Sequence, residues 1–132
     1  MTRHFAKIGA IFYILWGILH FQAAWGIYQL GIKQGPGMAQ GRLWQDAFFL
    51  FLISVASIYI AAKYNWRNNP LGYWLNFFII GIEDLLFIFL IVVPGYVPAK
   101  MIFTGPLLWI LGLIFTTIAF LDHKKSLRSR IA

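Results

Sequence analysis

The sequence contains no cysteine, and only 11% of its 132 residues are charged. Without cysteine, the chain cannot form disulfides, thiolate metal sites or cysteine nucleophiles, and it cannot act by quinone-coupled thiol oxidation. It also lacks a phosphate-binding glycine loop and a G-x-S-x-G nucleophile elbow. No motif therefore predicts the nucleotide or hydrolase chemistry of soluble enzymes.

Hydrophobic residues make up 61% of the chain, against roughly 45–50% in an average soluble domain. Four apolar runs reach the length of about 20 residues that a helix needs to cross a bilayer; they cover residues 7–30, 43–63, 71–93 and 101–121. None alternates strictly between apolar and polar residues, as barrel strands do. The first run is longer than the core of a signal peptide, so we expect it to remain a helix. We predict an all-α integral membrane protein in which residues 1–132 form one domain, an up-down-up-down bundle of four transmembrane helices.

The net charge of +7 is distributed in a way that indicates membrane orientation. Eight of the eleven basic residues fall on one side of the predicted bundle: Arg3, Lys7, Lys63, Arg67, Lys124, Lys125, Arg128 and Arg130. By the positive-inside rule, we expect this side and both termini in the cytoplasm of a bacterial-type inner membrane. The basic residues do not interleave with aromatics on a soluble face, so no nucleic-acid partner is expected.

Ionisable side chains stand in the middle of two apolar runs. His20 lies in the first run, and Glu83 and Asp84 lie side by side in the third. Counted from the cytoplasmic side at 1.5 Å per residue, His20 is about 20 Å deep and Glu83 about 18 Å deep. Ionisable groups in hydrocarbon are costly and usually mark functional sites inside a bundle. We predict His20, Glu83 and Asp84 as catalytic acid/base residues.

Helical spacing indicates which side chains of the first and third runs face inward. Positions three or four residues apart form one stripe in the first run, Tyr13, Gly17, His20, Ala24 and Tyr28, and one in the third, Asn76, Ile80, Glu83 and Phe87. Asp84 is rotated by about 100° from Glu83, so the two carboxyl groups cannot face the same point. The stripe predicts Glu83 as the inward acid beside Asn76, with Asp84 contacting a neighbouring helix.

Polar and aromatic residues around this depth predict contacts to a ligand. The predicted ligand-binding residues are Tyr13, Trp16, Gln45, Asp46, Asn76 and Trp109. Gln45 and Asp46 lie nearer the outer interface, where the start of a helix is the alternative explanation. Aromatic rings with a few polar groups suit a small lipophilic, lipid-like or isoprenoid-like molecule. Membrane lipid is the other expected partner.

No metal and no cofactor is expected. The Glu-x-x-His pairs of di-iron bundles are absent, and His20 is the only histidine within a predicted span. His4 and His123 lie near the two termini, which argues against a haem held by two histidines of one chain.

Three functions remain open from the sequence. The first is the binding or acid/base transformation of a small lipophilic molecule by His20 and the carboxylates. The second is a proton-coupled transporter or channel subunit, which would act as a homo-oligomer because one copy contains no inverted repeat. The third is a non-catalytic subunit of a larger membrane complex, in which buried polar groups only fix helix packing. The gathering of several polar types at one depth favours the first, with or without enzymatic turnover.

Overall fold

Four long helices form the protein, which a computed structural model describes over residues 2–131. They are α1 (Thr2–Gln34), α2 (Met38–Lys63), α3 (Pro70–Phe87) and α4 (Gly105–Ile131). Two short 3-10 helices, Asn65–Arg67 and Ala99–Phe103, and a π-helical turn, Ile88–Val92, complete the elements. The structure is 90% helical and contains no strand in the described residues. The side chains of Thr2, Leu127, Arg128, Arg130 and Ile131 lie outside the description.

All four helical segments are long and apolar enough to cross a membrane, which confirms the prediction of an all-α chain with four candidate spans. The segments are Arg3–Gln34, Met38–Arg67, Pro70–Val92 and Ala99–Ser126. Large apolar side chains face outward, among them Ile18, Phe48 and Phe89, each of which is more than half exposed. An apolar exterior of this kind suits a lipid environment, and the chain is a membrane protein.

Several helix ends differ from the predicted spans, because hydropathy locates the apolar part of a helix rather than its ends. Between α1 and α2 only residues 35–37 leave the helical conformation, with φ of 77° at Gly35 and 154° at Gly37. The fourth predicted span is divided, since residues 99–103 form a separate 3-10 helix and α4 begins at Gly105. Pro106 follows at once, in the first turn, where its missing N–H needs no partner.

The helices approach one another most closely at small residues. α1 packs along both α2 and α4, and α3 packs against α2 and α4. A Cβ atom on Gly9 would lie 2.9 Å from the carbonyl oxygen of Gly112, and one on Gly17 would lie 2.9 Å from that of Ser54. Such contacts between backbones are typical of membrane helices. The core that they enclose contains Ala10, Tyr13, Trp16, Ala61 and Ile80.

Candidate functional site

A single buried tryptophan holds both a histidine and a carboxyl group. Trp16 lies in the middle of α1 and is fully buried. Its indole Nε1–H donates a hydrogen bond of 2.9 Å to Asp84 Oδ2 on α3. Its backbone carbonyl accepts a hydrogen bond of 2.7 Å from Nδ1 of His20, one turn further along α1. We call Trp16, His20 and Asp84 the Trp16 cluster.

The imidazole of His20 is fixed in two ways. It stacks on the Trp16 indole with 3.7 Å between ring centroids and 22° between ring planes, and it donates from Nδ1 to the Trp16 carbonyl. Because a carbonyl oxygen can only accept, Nδ1 carries the hydrogen. In the neutral ring, Nε2 is therefore the free acceptor. His20 is half-buried, whereas Trp16 and Asp84 are buried.

The free atoms of His20 and Asp84 converge beside Gly105, at the start of α4. A Cβ atom added to Gly105 would lie 3.1 Å from Asp84 Oδ1, 3.1 Å from His20 Nε2 and 2.7 Å from His20 Cε1. Neither Oδ1 nor Nε2 has a hydrogen-bonding partner among the described residues. In the sequence, Gly105 and Pro106 indicate only a helix boundary, so this role of Gly105 was missed.

The carboxyl group of Asp84 also lies against the first residue of α4. The first four backbone N–H groups of a helix have no partner within the helix, and they give this end a positive potential. The indole N–H of Trp16 presents a second positive partial charge to the same carboxyl group. The Asp84 carboxyl group thus lies between the indole N–H of Trp16 and the first turn of α4.

Asp84, rather than Glu83, is the buried acid of α3. Asn76, Ile80 and Asp84 follow each other at steps of four and are all buried. Glu83 is half-buried and lies within electrostatic range of Asp46 on α2. The prediction of Glu83 as the inward acid is wrong. Glu83 and Asp84 lie three and four residues after Ile80, and both of these steps stay near one helix face. Packing of α3 against α1 decides which of the two is buried. The predicted contact of Asp84 with a neighbouring helix is confirmed.

A second buried polar contact joins Tyr13 of α1 to Thr116 of α4, and both hydroxyl groups donate within the protein. The Thr116 hydroxyl donates to the carbonyl oxygen of Gly112 at 2.8 Å. The Tyr13 hydroxyl, 3.2 Å from Thr116 Oγ1, is then the donor of that pair. Ser57 Oγ donates to the backbone carbonyl of Tyr13 at 3.4 Å. The structure thus places Tyr13, predicted as a ligand contact, in a contact between two helices. The hydroxyl hydrogens of Tyr13 and Thr116 both have acceptors within the protein.

Asn76 and Trp109 lie outside the Trp16 cluster. Asn76 Nδ2 donates to Asn65 Oδ1 at 2.9 Å, while the Trp109 ring packs over Gly81, where a Cβ atom would lie 2.9 Å from Trp109 Cζ2. Asn76 Oδ1 and Trp109 Nε1 are buried and have no partner in the described part of the chain. Their predicted role as ligand contacts stays a prediction.

Gln45 and Asp46 are exposed on α2, also outside the cluster. Gln45 Oε1 accepts a hydrogen bond of 2.9 Å from Arg42 Nη1. Both residues are therefore placed at the surface of α2, and their predicted ligand contacts stay predictions.

An open groove with a volume of about 600 Å³ lies between α1 and α2. We call it the aromatic groove, since six aromatic side chains and two alanines line it: Phe21, Ala24, Trp25, Tyr28, Trp44, Ala47, Phe48 and Phe51. It begins directly after His20 along α1. Ala24 and Tyr28 belong to the predicted inward stripe of His20, so the spacing contained a signal for this half. The α2 half depends on the register between the two helices, which the sequence does not specify.

The chemistry of the Trp16 cluster is that of one carboxyl group and one imidazole. Both suit proton transfer and hydrogen bonding within a membrane interior. No group of three or more histidine, cysteine or acidic side chains that could hold a metal ion occurs in the described residues. No protein-family model matches the chain, and no curated protein or solved structure is significantly similar to it.

Proposed function

We propose that this protein binds a small lipophilic molecule whose polar end hydrogen-bonds to the Trp16 cluster. The observation that carries the proposal is the convergence of Asp84 Oδ1 and His20 Nε2 beside Gly105. The other polar atom of each side chain is already bound to Trp16. Two free polar atoms at one point are costly in a membrane interior unless a partner satisfies them, which supports a ligand at this point. Free atoms on rigidly held side chains are typical of a binding site.

The two free atoms indicate which polar group of a ligand fits them. His20 Nε2 accepts a hydrogen bond, and Asp84 Oδ1 donates one when the acid is protonated or accepts one when it is ionised. A hydroxyl group both donates and accepts, so it satisfies Nε2 and a protonated Asp84 together. We therefore expect a hydroxyl-bearing molecule of lipid-like or isoprenoid-like character.

The apolar end of this molecule is expected in the aromatic groove. Phe21 and Ala24 line the groove within one helical turn of His20 on α1, which supports one molecule contacting both features. Its volume of about 600 Å³ lies within the range of roughly 300–1,000 Å³ that small-molecule sites occupy. Because the groove is open, a ligand can enter it from the lipid.

The same arrangement supports an acid/base transformation of the bound molecule. A protonated Asp84 can give a proton to one ligand atom while His20 Nε2 takes a proton from another. The ligand is then isomerised with no change in its proton count, and return of the proton from His20 to Asp84 completes the cycle. This catalytic form of the proposal requires both side chains, whereas binding alone requires only their hydrogen bonds.

We further propose an up-down-up-down bundle with both termini in the cytoplasm of a bacterial-type inner membrane. The contacts between α1 and α4 support antiparallel neighbours, since Tyr13 meets Thr116 whereas His20 meets Gly105. Residue numbers thus rise along α1 as they fall along α4. The excess of lysine and arginine at the end that contains Arg3 supports the cytoplasmic side. A test is the accessibility of single cysteines introduced at each end in intact cells.

Native mass spectrometry tests the binding proposal. The gently solubilised protein is incubated with lipid extract of its host, and we expect one small lipophilic molecule to remain bound to the wild type. In His20→Asn, the amide nitrogen can replace Nδ1 and keep the bond to the Trp16 carbonyl, while Nε2 is removed. We expect this variant to lose the bound molecule.

Thr116→Val is the matched control, because it removes a buried hydroxyl outside the Trp16 cluster. We expect this variant to retain the molecule, with circular dichroism confirming that both variants are folded. Retention of the molecule by folded His20→Asn contradicts the proposal. An empty wild-type protein also contradicts it, and would favour proton-coupled transport by an oligomer or a packing role in a larger complex.

A further inference from the structure

Three basic side chains and a tryptophan surround a depression at one end of the helices. Arg3 and Lys7 lie one turn apart on α1, and Trp66 and Arg67 belong to the 3-10 helix after α2. These four residues line a space of about 300 Å³, which we call the basic pocket. The Lys7 ammonium lies 5.6 Å from the centroid of the Trp66 ring, so the two sides of the pocket are in contact.

The segment that carries Trp66 and Arg67 is held in place by two asparagines. Asn65 is 2% exposed, and its Oδ1 accepts a hydrogen bond of 2.9 Å from Asn76 of α3. Asn68 has a left-handed φ of 55°, which asparagine tolerates well, and its Nδ2 donates to the carbonyl oxygen of Ala119 in α4 at 3.0 Å. The pocket is therefore preorganised by links to two helices rather than formed by a free loop.

The charge of the pocket is not compensated by its own lining, which consists of three cations and one aromatic side chain. Lys63, close by in sequence, has a hydrogen-bonding partner within the protein. It donates to the Tyr59 hydroxyl and lies 5.0 Å and 5.4 Å from the ring centroids of Tyr59 and Tyr64. Lys63 thus donates a hydrogen bond within the protein, while Arg3, Lys7 and Arg67 line one common space in which Lys7 also lies over the Trp66 ring.

We propose that the basic pocket binds the phosphate group of an anionic membrane lipid. Two guanidinium groups offer the planar pairs of donors that match phosphate oxygens, and Lys7 adds a point charge. The pocket lies at the ends of two candidate spans and includes Trp66 in its lining, and the ends of spans are where lipid headgroups and interfacial tryptophans are found. Basic pockets between membrane helices are suited to such headgroups. This site is separate from the Trp16 cluster and does not depend on its function.

The test measures lipid binding to the delipidated full-length protein by native mass spectrometry, with phosphatidylglycerol as the probe. We expect one tightly bound lipid in the wild type and weaker binding of phosphatidylcholine, which has the phosphate but no net charge. The double variant Lys7→Gln/Arg67→Gln is expected to bind phosphatidylglycerol roughly thirtyfold more weakly. Arg67→Lys keeps the charge and loses the planar fork, so we expect an intermediate loss.

The control variant Lys124→Gln/Lys125→Gln removes the same charge from exposed positions near the end of α4. We expect its affinity to fall by roughly threefold or less, because those charges act only through screened solvent. Equal losses in the two double variants would overturn the proposal in favour of a general surface field. Displacement of the lipid by an equal concentration of inorganic phosphate would overturn the assignment to a lipid headgroup.

Discussion

The Trp16 cluster and the contact between Tyr13 and Thr116 both join α1 to another helix through buried side chains, yet they use their hydrogen-bonding capacity differently. Tyr13 donates to Thr116, which donates onward to the carbonyl oxygen of Gly112. The Trp16 cluster, by contrast, leaves one atom of His20 and one of Asp84 free. Burial of a polar side chain therefore does not by itself distinguish packing from function. What sets the Trp16 cluster apart is that two free polar atoms from different helices converge beside one backbone position.

Replacing Trp16 should have the largest effect, because both parts of the cluster are attached to it. We expect Trp16→Ala to lower the free energy of unfolding by about 3–5 kcal/mol, as for other large buried aromatics, and to abolish ligand binding. Unfolding in mixed detergent micelles measures the first effect, and native mass spectrometry the second. Trp16→Phe keeps most of the ring and loses the indole N–H, so a ligand loss in this variant would identify the bond to Asp84 as the cause. A smaller loss of unfolding free energy in Trp16→Ala than in Thr116→Val would contradict the distinction between the two regions.

A methyl group at Gly105 tests the space between the free atoms. In Gly105→Ala the new Cβ would lie 2.7 Å from His20 Cε1, so His20 or α4 must move. We expect a destabilisation of about 1–3 kcal/mol together with loss of the bound molecule. Gly41→Ala in α2 is the control, because a Cβ there meets nothing within 4 Å; it should leave binding unchanged and be neutral or slightly stabilising. Ligand binding by Gly105→Ala equal to wild type would argue against this location.

Two neighbouring phenylalanines allow the aromatic groove to be tested separately from the rest of the apolar surface. Phe48 lines the groove and Phe49 does not, although both are more than half exposed. We expect Phe48→Ala to weaken ligand binding by about 0.5–1.5 kcal/mol, the range for one aromatic contact, with little change in stability. Phe49→Ala should leave the affinity at its wild-type value. Titration of each variant with the identified ligand measures the difference in affinity. Equal losses of affinity would mean that the ligand does not bind in the groove.

The smallest effect is expected in the contact between Tyr13 and Thr116. Thr116→Val removes the partner of the Tyr13 hydroxyl, and interhelical hydrogen bonds in membranes contribute about 0.6 kcal/mol on average. We therefore expect a loss of stability of that order and full retention of the ligand. A loss of stability that equalled that of Trp16→Ala would show that the two buried regions are not energetically distinct.

The sequence contained the four apolar spans and the alignment of His20 with Ala24 along α1, because both depend only on composition and helical period. The choice between Glu83 and Asp84 could not be made from the sequence. Neighbouring residues on a helix differ by about 100°, and only the position of Trp16 on another helix decides which acid is buried. The role of Gly105 was equally hidden, since it depends on where α4 begins relative to α1 and α3.

His20 and Asp84 are both attached to Trp16, whereas Gly105 belongs to a helix that carries no part of the cluster. The separation between the paired side chains and Gly105 therefore depends on how α4 packs against α1 and on the irregular connection of residues 88–104. A π-helical turn and a 3-10 helix lie in this connection, and its length contributes to the position of α4. Insertion or deletion of one residue there would widen or narrow the site while leaving the side chains of Trp16, His20 and Asp84 unchanged. The connection between α3 and α4 thus acts as a spacer for the site.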